Sequence, residues 1–60
     1  MRTKAKDLQN GVLNNLGVLY GKYFIEYEKA IHYYNQVLEL EPSNEWARNE
    51  RRRYERYITY

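Results

Sequence analysis

The chain has 60 residues, 43% apolar and 30% charged, with a net charge of +2, no cysteine, eight tyrosines, one tryptophan and one phenylalanine. A chain this short buries only about 60% of the surface its unfolded form exposes, and one core of that size rarely contributes more than about 3–5 kcal/mol. Disulfides are excluded; a metal staple is disfavoured because His32 with Glu28 offers two of the roughly four ligands a structural site needs, and aromatic packing or self-association is left to stabilise the fold.

The first nine residues, MRTKAKDLQ, read as a basic, partly helical, mobile arm. Asp7 and the absence of serine there argue against a transit peptide, so the whole chain is taken as mature protein. No run approaches the about 18 apolar residues of a membrane span. The lack of cysteine is compatible with the cytoplasm. Both ends are net basic, and the centre, with Glu26, Glu28, Glu39 and Glu41 against Lys22 and Lys29, is net acidic. Such segregation favours contact of an end with a middle, within one chain or between two.

A first helix is expected to begin near Asn10, whose side chain would cap it, with Val12, Leu13, Leu16, Leu19 and Tyr20 as its apolar stripe. The alternative extends the stripe backwards through Val12, Leu8 and Ala5, so that one helix runs from about Thr3 across Gly11 at a cost of about 1 kcal/mol. Gly21 is the expected left-handed cap, and Lys22–Ile25 the turn. Without that turn the chain would run as one helix from about Val12 to Leu40, its stripes buried by a second chain in a domain-swapped dimer.

The second helix, about Ile25–Glu41, is marked by Tyr27, Ala30, Ile31, Tyr34, Val37 and Leu38 at three- and four-residue spacing. Pro42 stops it, and Ser43 or Asn44 caps the next. In the third helix, Glu45–Tyr57 or beyond, Trp46, Tyr57, Tyr54, Ala47 and Ile58 cover an arc of about 120°, with Arg48, Arg52 and Arg56 along the opposite side. Glu50 falls inside the apolar arc, where an arginine or a tyrosine hydroxyl is its expected partner.

Leu13, Leu16-Gly17 and Tyr20, followed by Ala30, Tyr34 and Pro42, follow the W-x2-L-G-x2-Y…A…P landmarks apart from the first aromatic. The segment 10–44 therefore resembles a single tetratricopeptide repeat, with Ala30–Asn44 its best-preserved part. One residue too many stands between Tyr20 and Ala30, and Leu8 occupies a linker position where the family usually has proline. The resemblance implies an all-α fold, an antiparallel helical hairpin with Gly17 and Ala30 as small residues that let its helices approach closely. Residues 45–60, with Arg51 and Arg52 where a fresh repeat would carry Leu-Gly, would form a capping helix of the kind that seals a repeat array. It also implies a concave surface lined by Asn14, Val18 and Lys22, with Asn15 at its edge; that lining does not support a carboxylate clamp.

Materials for catalysis are sparse: one histidine, one serine and three glycines too widely spaced for a phosphate loop. Glu26 and Glu28 face different sides of a helix and do not converge on one substrate. No catalytic, cofactor-binding or metal residue is assigned, and His32 is read as part of a polar helix face. The expected function is a protein–protein interaction or self-assembly module. Repeat units are normally stabilised by neighbours, about three being needed, so a homodimer or another protein or peptide would cover the exposed flank. A small basic nucleic-acid-binding domain using Arg48, Arg52 and Arg56 is the alternative, although pairs such as Arg51 with Glu55 suit a solvated helix. An excised or engineered repeat fragment would carry the same pattern.

Overall fold

A computed structural model describes residues 5–58, with side chains described from Leu8 onward. Helix α1, Ala5–Val18, runs on into a π-helical turn, Leu19–Tyr23; α2 spans Tyr27–Leu40 and α3 spans Glu45–Tyr57. No strand occurs among the described residues, and the protein is all-helical.

Long-range contacts fix the directions. Asn10 bonds to Glu41 while Tyr20 stacks on Tyr33, so α1 and α2 are antiparallel. Arg51 bonds to Asn35 while Tyr57 meets Tyr27, so α2 and α3 are antiparallel as well. Helix α2 thus lies in the middle, and Ala30, Tyr34 and Val37 on it join Leu13 of α1 and Ala47 and Tyr54 of α3 as the core.

The amino-terminal boundary differs from the favoured reading. The chain is already helical at Ala5, the first described residue, and the helix runs across Gly11 as in the alternative with the longer stripe; residues 1–4 lie outside the described part. Asn10 is buried inside α1 and, instead of capping it, donates from Nδ2 to Glu41 Oε1 at 3.2 Å. That bond ties the first turns of α1 to the far end of α2, while Asn10 Oδ1 is buried without a partner.

The turn also differs from expectation. No glycine has a positive φ, so Gly21 is not the left-handed cap; it is buried within the π-helical turn. The Phe24 amide donates to the Leu19 carbonyl at 3.1 Å and the Glu26 amide to the Tyr20 carbonyl at 2.7 Å. A π turn closes over one residue more than an α turn. The continuous helix from Val12 to Leu40 is not formed, because Phe24–Glu26 are non-helical and the chain folds back. As a result α2 starts at Tyr27 rather than about Ile25, and it ends at Leu40.

The left-handed position is taken by Ile25, with φ 57°. A β-branched residue there costs about 1–2 kcal/mol, and Ile25, 56% exposed, regains little of it by burial. Ile25→Gly is therefore expected to stabilise the chain by about 1 kcal/mol, raising its melting temperature by about 4–8 °C. A lower melting temperature for that variant would show that Ile25 makes contacts worth more than its strain.

The second break agrees with the sequence reading. Glu41–Asn44 is non-helical, and Asn44 Oδ1 accepts the Ala47 amide at 3.1 Å, an N-cap that starts α3.

Candidate interaction surfaces

Close helix packing sets the geometry of every surface on this molecule. A Cβ built on Gly17 would stand 2.6 Å from Tyr34 Cζ, and one built on Gly21 would stand 2.5 Å from Tyr54 Cζ. Each tyrosine ring thus lies against a bare helix backbone, one from α2 and one from α3. Tyr34 and Tyr54 stack on each other at 6.0 Å between centroids; Trp46 meets Tyr34 edge-on at 5.5 Å, and Tyr27 stacks on Tyr54 at 5.6 Å. Trp46, Tyr34, Tyr54 and Tyr27 form one continuous column between the helices, which is how a chain with few aliphatic residues fills its centre.

The column buries polar tips with it. Tyr34 Oη, Tyr54 Oη and Glu50 Oε1 are buried without a hydrogen-bond partner. Burial, and then the charges of Tyr54 and Glu50, push the Tyr34 phenol well above its ordinary range; burial and then Glu50 raise Tyr54 in the same direction. Glu50, 7% exposed, lies 3.9 Å from Arg53 through Oε2. An arginine is therefore its ion-pair partner, and the nearby hydroxyls do not bond to it.

Three surfaces surround this core. On α1 and its π turn, Asn14, Val18 and Lys22 follow one another at four-residue spacing: Asn14 and Val18 are half-buried, Lys22 and the neighbouring Asn15 exposed. Asn14 Oδ1 is buried and has no partner. A second row on α1 is apolar and open, with Leu8 63% and Val12 57% exposed and Leu16 and Leu19 half-buried. Of the expected stripe Val12, Leu13, Leu16, Leu19 and Tyr20, Leu13 joins the core and Tyr20 packs against it, while Val12, Leu16 and Leu19 stand in this outer row. The helix instead turns Asn10, Leu13, Gly17 and Gly21 inward, because only the glycine edge admits the tyrosine rings.

The third surface is on α3. Of the expected trio, Arg52 and Arg56 stand together, while Arg48 is drawn aside by a hydrogen bond from its guanidinium to the Pro42 carbonyl. Asn49 and Arg53 complete an open depression of about 270 Å³ with Arg52 and Arg56. Arg51 donates to Asn35 Oδ1 at 2.9 Å and lies 3.9 Å from Glu55. Trp46 and Tyr57, expected in the apolar arc, stand at its edge and are 45% and 58% exposed. No sequence signal separated them from Tyr54 and Ala47, since the width of a helix contact is decided by its partner.

His32 is exposed and shares a hydrogen bond with Gln36 at 2.9 Å. Among the described residues no three metal-ligating side chains converge, and no helix is long and apolar enough to cross a membrane. Comparison with protein-family models, curated proteins and solved structures gives no match. The tetratricopeptide resemblance rests on the residues quoted above.

Proposed function

We propose that the chain is a protein–protein interaction module, built on one tetratricopeptide-like hairpin closed by α3, that assembles with a second copy of itself. The observation that carries this reading is the open apolar row Leu8, Val12, Leu16 and Leu19, which lies beside the contact with α2 and not within it. Exposed rows of this kind on a small domain mark contact surfaces. A second copy offers an identical row, so two α1 helices packed about a two-fold axis cover both rows with one self-complementary contact. The row of Asn14, Val18 and Lys22 lies on another side of α1 and stays open to a peptide or protein in such a dimer.

The reading is tested by thermal melting over an about hundredfold range of chain concentration. A dimer couples folding to association, so the melting temperature rises with concentration. Leu8→Arg with Val12→Arg should remove that dependence while keeping the helical content, because both side chains are exposed in the single chain. A concentration-independent melt of the parent chain would sink the proposal.

A further inference from the structure

From the third surface we infer that α3 carries a binding site for single-stranded nucleic acid, with phosphates held in the depression of Asn49, Arg52, Arg53 and Arg56 and bases stacked on Trp46 and Tyr57. The site is independent of the α1 row and of self-assembly.

Two separate observations meet on this strip. The first is the distribution of cations. Among the described residues Arg52 and Arg56 have no hydrogen-bond or ion-pair partner, and Arg53 is held only by the 3.9 Å contact with Glu50. Three guanidinium forks and the Asn49 amide thus frame one open depression. Guanidinium groups bind phosphate through paired hydrogen bonds, which suits an oxyanion better than a lone cation would. The carboxylates that would oppose a phosphate are mostly turned away: Glu50 is buried beneath the strip, and Glu55 stands on the far side with Arg51. Glu45 alone remains on this side, at the first turn of the helix.

The second observation is aromatic. Projected at 100° per residue, Trp46, Asn49, Arg52, Arg53, Arg56 and Tyr57 share an arc of about 140°. Trp46 and Tyr57 stand on one edge of that arc, about 16 Å apart along the axis, with the arginines between them and to one side. Each is half outside the core yet fixed by it, Trp46 against Tyr34 at 5.5 Å and Tyr57 against Tyr27 at 4.8 Å. Rings held in this way offer a face to a ligand at little further entropy cost. A cluster of cations flanked by aromatic rings on one strip is what a single strand needs, since its phosphates seek charge and its unpaired bases seek π-faces. A duplex hides those faces, and a bare anion has none.

The test uses Trp46, the only tryptophan, as its own reporter. The full chain is titrated at low salt with an oligothymidylate of about ten nucleotides, and tryptophan emission is followed. Saturable quenching is expected, with log K falling against log salt at a slope of about −2 for the two to three phosphates engaged. Arg52→Gln with Arg56→Gln should weaken binding about tenfold or more and flatten that slope, with helical content unchanged. Leu8→Arg should leave the binding in place. Absence of quenching with the parent chain at low salt would overturn the inference. So would equal binding of inorganic tripolyphosphate or of a duplex of the same length, because either result would mean attraction to anions without stacking.

Discussion

Gly17→Ala is expected to destabilise the chain by about 1–3 kcal/mol, a large share of the about 3–5 kcal/mol a core of this size supplies. Helix propensity alone gives the opposite sign, since alanine is favoured over glycine in a helix interior by about 1 kcal/mol. Packing decides. The new methyl would stand 2.6, 2.8 and 2.9 Å from Tyr34 Cζ, Cε1 and Cε2, and that ring is fully buried between Tyr54 and Trp46. The ring cannot move aside without disturbing both neighbours. Gly11→Ala is the internal control: nothing lies within 4 Å of a Cβ there, so the same change should stabilise by about 1 kcal/mol. Melting followed by circular dichroism should move the two variants in opposite directions. If Gly17→Ala melts at or above the parent, the close approach of α1 to Tyr34 is not what holds the hairpin.

Alkali is expected to unfold the chain more sharply than its surface charges would. Tyr34 and Tyr54 are buried and neutral, and both phenols are raised above their ordinary range of about 10, first by burial. The raised value means that the native state keeps protons the unfolded state gives up. Their contribution is therefore fully present below about pH 10 and falls as the pH rises above it, by about 1 kcal/mol per pH unit for each residue until its native pKa is reached. Stability measured by urea unfolding at pH 8, 9, 10 and 11 should be level to about pH 9 and then fall. Tyr34→Phe, which removes an unpartnered hydroxyl while keeping the ring, should soften the fall and cost little at pH 8. An unchanged pH dependence in that variant would place the alkaline sensitivity elsewhere.

What could be read from the residues was what is decided locally. The stripe of Tyr27, Ala30, Tyr34 and Val37 marks α2 to within two residues, and Pro42 with Asn44 marks the second break, because helix period and capping chemistry act over a few neighbours. For the amino-terminal segment the residues support two readings, and the long helix across Gly11 is separated from the shorter one by a bond thirty-one positions away, from Asn10 to Glu41. Gly21 was misread because a glycine that ends a helix and a glycine that admits a ring look alike until Tyr54 is placed against it. Ile25 in a left-handed conformation runs against its own preference, so propensity pointed elsewhere. On the basic face, four-residue spacing places Arg52 and Arg56 side by side. Arg48 is held by the Pro42 carbonyl six residues before it, a bond set by the shape of the turn before α3 and not by helix spacing, and the depression is left to Asn49 and Arg53 with Arg52 and Arg56.

The dependence on α1 gives self-assembly its most direct measurement. Sedimentation equilibrium of the parent chain and of the Leu8→Arg, Val12→Arg variant, run side by side across concentration, compares the same fold with and without the apolar row. The parent mass is expected to rise to that of two chains, and the variant to stay at one with its helical content intact. A parent that stays at one chain at every concentration, or a variant that associates as the parent does, would contradict it.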